Sequence, residues 1–234
     1  VQTIIDRVGL MGEVDVEARE PQFAGQHPGG PQVVNPSTVP LAVVSPRRDL
    51  PSDIVEMTVA ELASQIAARN LSPVDIVQAF SRRIDLLEPK LNAFITLTFE
   101  KAFAAAKQAE SDIAEGNYKG ALHGIPIALK DLYWTKDVRT TSGSAITSDF
   151  VPDEDATVVT RLQEAGAYSI GKTGMVEYAY GGFEHNDLYG DPKNPWNTAH
   201  VTGGSSSGSG AAVAGRQVPL ALGSDTAGSV RGPA

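Results

Sequence analysis

The sequence predicts an α/β protein: a mixed, largely parallel β-sheet core flanked by helices. Three observations carry that expectation. Short apolar runs near Ile125–Leu129, Ala167–Ile170 and Pro219–Leu222 alternate with stretches of helical periodicity, the pattern of strand–helix–strand units. Aromatic residues make up only 6% of the chain while glycine contributes 23 of 234 residues, which suits close packing of helices on a sheet. Two of the apolar runs end in polar turns, at Lys130-Asp131 and at Gly223-Ser224, and sheets of this kind collect their chemistry beyond strand ends.

The elements follow in order. Residues 1–52 form a Pro/Gly-rich N-terminal extension with little periodicity after Glu20, expected to lie extended or partly disordered. Thr58-Val-Ala-Glu61 has capping-box spacing, and Val59, Leu62 and Ile66 share one helical face. Ser72-Pro73-Val-Asp75 opens a second helix with serine as N-cap and proline at the first turn. Its stripe of Ile76, Val77, Phe80, Ile84 and Leu87 should end near Glu88-Pro89. A third helix from Phe99 to Glu115 closes at Gly116. The run after His123 reads as a buried strand ending at Lys130, and Asp155 is expected to cap a helix that Gly166 terminates.

Composition excludes several classes. The formal net charge of −9 argues against direct nucleic-acid binding, which needs clustered Lys and Arg. No cysteine is present, so there is neither a disulfide framework nor a thiolate metal site. No apolar run reaches the roughly 18–20 residues of a membrane span, and no signal-peptide pattern opens the chain; a cytoplasmic protein with no membrane partner is the expectation. His27, His123, His185 and His200 are scattered, without metal-ligand spacing.

Two motif matches fail on context. Gly166-Ala-Tyr-Ser-Ile-Gly171-Lys172-Thr173 fits a phosphate-binding loop by letter, but its middle residues read as a strand and Gly174 opens a helix poorly. Gly204-Ser-Ser206-Ser-Gly208 fits the nucleophile elbow of α/β-hydrolases; no apolar strand precedes it, and no histidine follows His200 as a base. A flexible Gly/Ser linker is disfavoured by Ala211-Ala-Val-Ala214 and Val218-Pro-Leu-Ala-Leu222 alongside. Serine nucleophiles need a base, and with histidine unpromising lysine remains. Lys130 closes an apolar run, where burial lowers an ammonium pKa from about 10.4 toward neutrality. On spacing alone, a surface lysine closing a strand is the plainer reading.

Several segments then stand together: His123-Gly-Ile-Pro-Ile-Ala-Leu-Lys130-Asp131, Gly171-Lys-Thr with Met175 and Glu177, Asn194-Pro-Trp196, Gly203-Gly-Ser-Ser206, and Gly223-Ser-Asp-Thr-Ala-Gly-Ser229. In this order and spacing the chain resembles the amidase signature family from about Thr58 to the end, so residues 53–234 read as the N-terminal part of such a domain. The resemblance implies a cofactor-free and metal-free hydrolase of linear amide C–N bonds acting on a small-molecule amide. It implies a Ser–cis-Ser–Lys triad: Ser229 as nucleophile forming an acyl-enzyme, Ser205 as proton bridge behind a cis Gly204–Ser205 peptide, and Lys130 as general base. The backbone amides of Thr226, Ala227, Gly228 and Ser229 would form the oxyanion hole, Ser206 and Asp225 would support the loops, and Arg231 would anchor the turn.

Ala227 departs from the glycine commonest in the family and requires a negative φ there. Thr-Ala-Gly-Ser with the triple serine is similar to allophanate hydrolases, without assigning a substrate. The alternatives are a glutamine-hydrolysing amidotransferase subunit with partner subunits, and a catalytically incomplete fragment, because only half of the family's usual domain is present. A half-domain would expose apolar faces and favour association, including as a homo-oligomer.

Overall fold

β2, Pro126–Lys130, is the axis of the molecule: all five of its residues are buried. The computed structural model describes residues 53–181 and 185–234. The N-terminal extension, 1–52, and His27 within it lie outside the described residues. After a 3₁₀ turn at Ile54–Glu56 come α1 (Val59–Ala67), α2 (Pro73–Leu91), β1 (Phe94–Leu97) and α3 (Phe99–Ala114). β2 is followed by α4 (Thr157–Glu164), β3 (Tyr168–Thr173), a 3₁₀ turn at Glu177–Ala179, α5 (Ser207–Ala214) and β4 (Ala221–Leu222). The sheet order is β1-β3-β2-β4; β3 and β4 run parallel to β2, and β1 pairs antiparallel with β3. The mixed, largely parallel sheet is the one expected.

The helix starts follow the local rules. Thr58 and Glu61 exchange side-chain and backbone bonds in a capping box, as do Ser72 and Asp75 with Pro73 in the first turn. These reciprocal bonds satisfy amides that would otherwise lack partners. α2 runs past the predicted stop at Glu88-Pro89 and ends at Leu91, capped by Asn92 at φ 48°. Pro89 lies in the last turn; its ring removes a single helical bond, and the Asn92 amide still reaches the Glu88 carbonyl. Asp155 does not cap α4. Ala156 stands at that position without a side-chain bond, and Asp155 accepts instead from the Lys136 amide at 2.7 Å. The last two strands also differ from expectation: β3 extends to Thr173, and β4 is cut to Ala221–Leu222. β3 lengthens because Lys172 finds buried partners and its backbone pairs with both neighbours.

Two apolar clusters sandwich the sheet. Ile66, Ile76, Phe80, Ile84, Ala128, Ile170 and Ala211 belong to one, and Ile127, Leu129, Tyr133, Val159 and Met175 to the other. Alternate residues of β2 thus enter different clusters, as the two-residue period of a strand requires. Burying each large aliphatic side chain contributes roughly 1.5–3 kcal/mol, enough to hold a polar residue at the end of this strand. Among the described residues no helix is long and apolar enough to cross a membrane.

Candidate active site

Because β2, β3 and β4 are parallel, their C-terminal ends share one side of the sheet, and α5 begins there. Its second residue has no room for a side chain: a Cβ on Gly208 would come within 2.4 Å of the Ala93 carbonyl oxygen and the Gly174 nitrogen. The Gly208 amide donates to Gly174 O at 2.9 Å. This close approach brings Ser205, Ser206 and Ser207, all buried, over the end of β2. The Gly/Ser tract is therefore a packed turn and helix start, not a linker.

Lys130 closes β2 and is fully buried. Its Nζ donates to Ser205 Oγ at 2.7 Å, to Ser206 Oγ at 2.9 Å and to Ser224 Oγ at 2.9 Å. Burial pushes the ammonium down to about 7, against the opposing pull of the Asp225 carboxylate. The Gly204–Ser205 peptide is cis. Ser206 Oγ donates to Ser224 O at 3.2 Å and accepts from the Ser224 amide at 3.2 Å, joining the start of α5 to the turn after β4. Gly223 permits that junction, since a Cβ there would lie 2.9 Å from Ser206 Oγ and 2.8 Å from Val230 Cγ2.

Ser229 is half-buried and meets this cluster through its backbone: Ser229 O accepts from the Ser206 amide at 3.1 Å. Among the described residues no hydrogen bond joins the hydroxyls of Ser229 and Ser205. The loop carrying Ser229 is organised around Asp225, which accepts from the amides of Gly228 (2.8 Å), Val230 (3.0 Å) and Arg231 (3.1 Å) and from the Arg231 guanidinium. The Arg231 guanidinium and these amides hold the Asp225 carboxyl well below the usual carboxylate range. Arg231 does anchor the turn. The Gly228 amide is thereby committed inward to Asp225, whereas Thr226 and Ala227 are exposed at the loop tip, and φ at Ala227 is not positive.

The rejected motifs resolve plainly. Lys172 is as buried as Lys130 but donates to Tyr133 O at 2.7 Å and Thr140 Oγ1 at 2.6 Å, with Asp131 Oδ1 at 3.4 Å. No loop surrounds it, because Tyr168–Thr173 is strand. His123 is buried, with Nδ1 accepting from the Lys119 amide; His185 is exposed and paired with Asp191 at 2.6 Å. Among the described residues no group of histidines and carboxylates is placed to hold a metal ion. A cleft of about 300 Å³ between α3 and the start of β3, and another of about 140 Å³ beside Gly203, both leave out Lys130, Ser205 and Ser229.

Sequence reasoning missed Ser224 and Tyr133. Ser224 stands inside the Gly223–Ser229 segment, beside Asp225, but no spacing rule ties it to a lysine 94 residues earlier.

Comparison with known proteins identifies the family. A sequence model of the family Amidase matches residues 75–234. A glutamyl-tRNA(Gln) amidotransferase subunit from Azoarcus sp. is 50% identical over 181 residues, covering 77% of this chain and 37% of the relative. Among solved structures, the native peptide amidase from Stenotrophomonas maltophilia superposes with a TM-score of 0.71 at 35% identity, covering 75% of this chain and 37% of the other. A fatty acid amide hydrolase gives 0.73 at 33% identity, covering 79% and 33%. The chain spans little more than a third of the length of the curated relatives it matches. With the family model matched over residues 75–234 and the same fold in solved amidases, the chain belongs to the amidase family, the amidase signature enzymes.

Proposed function

We propose that the protein carrying this chain hydrolyses the C–N bond of a carboxamide through an acyl-enzyme on Ser229, with residues 53–234 supplying the catalytic part of its domain. The observation that carries the reading is Lys130: a fully buried amine near neutrality whose hydrogen-bond partners are all serine hydroxyls. An ammonium has three N–H donors, whereas the neutral amine has two and a lone pair. The Ser206 proton is committed to Ser224 O, so Ser206 Oγ accepts one N–H. Ser224 Oγ takes the second. The lone pair then faces Ser205, the shortest of the three contacts.

In this reading Ser229 Oγ attacks the carbonyl carbon as its proton passes to Ser205 Oγ, and the Ser205 proton passes to Lys130 Nζ. The tetrahedral oxyanion is met by the amides of Thr226, Ala227 and Ser229; the Gly228 amide serves the loop through Asp225. Losing one such donor typically costs about 3–4 kcal/mol of barrier in a serine hydrolase. The C–N bond breaks as the proton returns through Ser205 to the leaving nitrogen, and water repeats the sequence on the acyl-enzyme.

The test is intact-mass analysis of the protein after exposure to a fluorophosphonate. One adduct is expected, absent from Ser229→Ala and formed about 10²–10⁴-fold more slowly in Lys130→Ala. A folded parent that takes no adduct overturns the reading. The 50% identity to a glutamyl-tRNA(Gln) amidotransferase subunit supports a second reading, in which the amide is glutamine and the released ammonia passes to a partner protein. Glutaminase activity that appears only when partner proteins are supplied separates it from a free-standing amidase.

A further inference from the structure

We infer that Tyr133 is a positioning residue, a tether that sets the Gly223–Ser229 loop against the base; the inference rests on the proposed roles of Lys130 and Ser229. β4 has only two residues, and its ladder with β2 pairs Ala128 with Ala221 and Leu129 with Leu222, then stops. The following pair would be Lys130 and Gly223. In place of that rung, the hydroxyl of Tyr133 donates to Gly223 O at 2.6 Å. The Tyr133 amide donates to Lys130 O at 3.0 Å. One residue thus holds the backbone of the base and the backbone that leads into Ser224. The circuit closes through the Ser224 hydroxyl, which lies 2.9 Å from Lys130 Nζ.

The tether is itself held from behind. Tyr133 is 2% exposed, so its hydroxyl has little water to turn to. Its carbonyl accepts from Lys172 Nζ at 2.7 Å, and Lys172 sits against Asp131, whose Oδ2 is bonded to the amide and hydroxyl of Thr141. Lys172 lies one register step from the reacting lysine, opposite Leu129, and with Asp131 it orients the residue that orients the loop. A phenylalanine at 133 would fill the same space and lose only the link to Gly223. Without it, nothing in the sheet fixes the loop past Leu222, and the contacts of Ser206 with Ser224 and Ser229 and of Lys130 with Ser224 must hold it.

The experiment is Tyr133→Phe in the protein carrying this chain, which keeps the ring and its packing, beside Leu132→Val, a packing change at a buried neighbour. Hydrogen exchange is followed by mass spectrometry on the peptide spanning 223–232, and fluorophosphonate reaction at Ser229 is followed as a function of reagent concentration. Tyr133→Phe is expected to speed exchange in that peptide about 3- to 10-fold, the effect of one hydrogen bond. It should lower the saturating rate of adduct formation by a similar factor with the half-saturating concentration unchanged. Leu132→Val should move neither. Exchange in Tyr133→Phe equal to the parent's overturns the inference, as does an equal change in Leu132→Val. If the parent takes no adduct, the reading of Ser229 falls, and the exchange measurement alone decides the tether.

Discussion

Lys130 and Lys172 stand one register step apart on neighbouring strands, since Lys130 pairs with Thr173 and Leu129 with Lys172. Both are fully buried, and burial lowers both, to about 7 and about 8. Their surroundings differ in kind. Lys172 has a carboxylate, Asp131, a backbone carbonyl and a threonine hydroxyl; these partners favour the charged form and fix it as a strut. Among the described residues Lys130 has serine hydroxyls alone, and the carboxylate that acts on it, Asp225, is spent on three amides and Arg231. Desolvation is common to the two sites, so it does not by itself make a base. What separates them is whether a buried amine is given a counter-ion or a set of hydroxyls that can exchange protons with it.

The largest effects expected follow from removing each amine. Lys172→Met leaves Asp131 buried without its cation and should cost about 3–5 kcal/mol in urea unfolding. Lys130→Met strands no counter-ion and at about pH 7 should change stability by no more than about 1 kcal/mol, the scale of a hydrogen bond, while slowing adduct formation at Ser229 about 10²–10⁴-fold. Equal losses of stability in the two variants would break the comparison.

The next effect is on pH dependence. In the proposed mechanism the neutral amine of Lys130 is the base, so the rate of fluorophosphonate reaction should rise with pH, reach half its maximum near pH 7 and level off above. Stability should move the same way. Between about 7 and the ordinary value of 10.5 the unfolded chain holds a proton at Lys130 that the folded chain does not, so unfolding takes up a proton and becomes harder as pH rises. That gain is lost as pH falls toward 7. Lys172 adds a rise of the same sign between about 8 and 10.5. Urea midpoints measured from about pH 7 to 10 should therefore climb in the parent and climb less in Lys130→Met; identical slopes would show that Lys130 is not neutral in the folded protein.

The smallest effect concerns the third hydroxyl. Ser224→Ala removes one acceptor of Lys130 and leaves Ser205 and Ser206 in place, so reaction at Ser229 should slow about 3- to 10-fold. A loss as large as that of Lys130→Ala would mean that Ser224, and not Ser205, carries the proton.

Local rules in the sequence were strongest where they acted over a few residues. The capping boxes at Thr58 and Ser72 were legible because donor and acceptor lie three positions apart. The same rules misplaced the end of α2, where Pro89 sits in the last turn, and assigned a cap to Asp155, whose carboxylate is taken by Lys136 from a loop 19 residues away. Lys130 and the serine tract were legible as candidates, and the family resemblance gave them an order. The distances among them were not. Nothing in the spacing of Lys130, Ser206 and Ser224 states that one ammonium reaches both, and nothing in Tyr133 marks it as different from any buried aromatic.

The sequence by itself determined the α/β alternation, the helix starts, the absence of thiols and the segments shared with the amidase family, because each depends on residue type and short-range order. Only the tertiary structure decided which buried lysine meets a carboxylate and which meets hydroxyls, that the Gly228 amide turns inward to Asp225, and that Tyr133 spans from Lys130 to Gly223. Those outcomes depend on strand order and register, which bring residues 75 to 94 positions apart within hydrogen-bond distance and which no local pattern encodes.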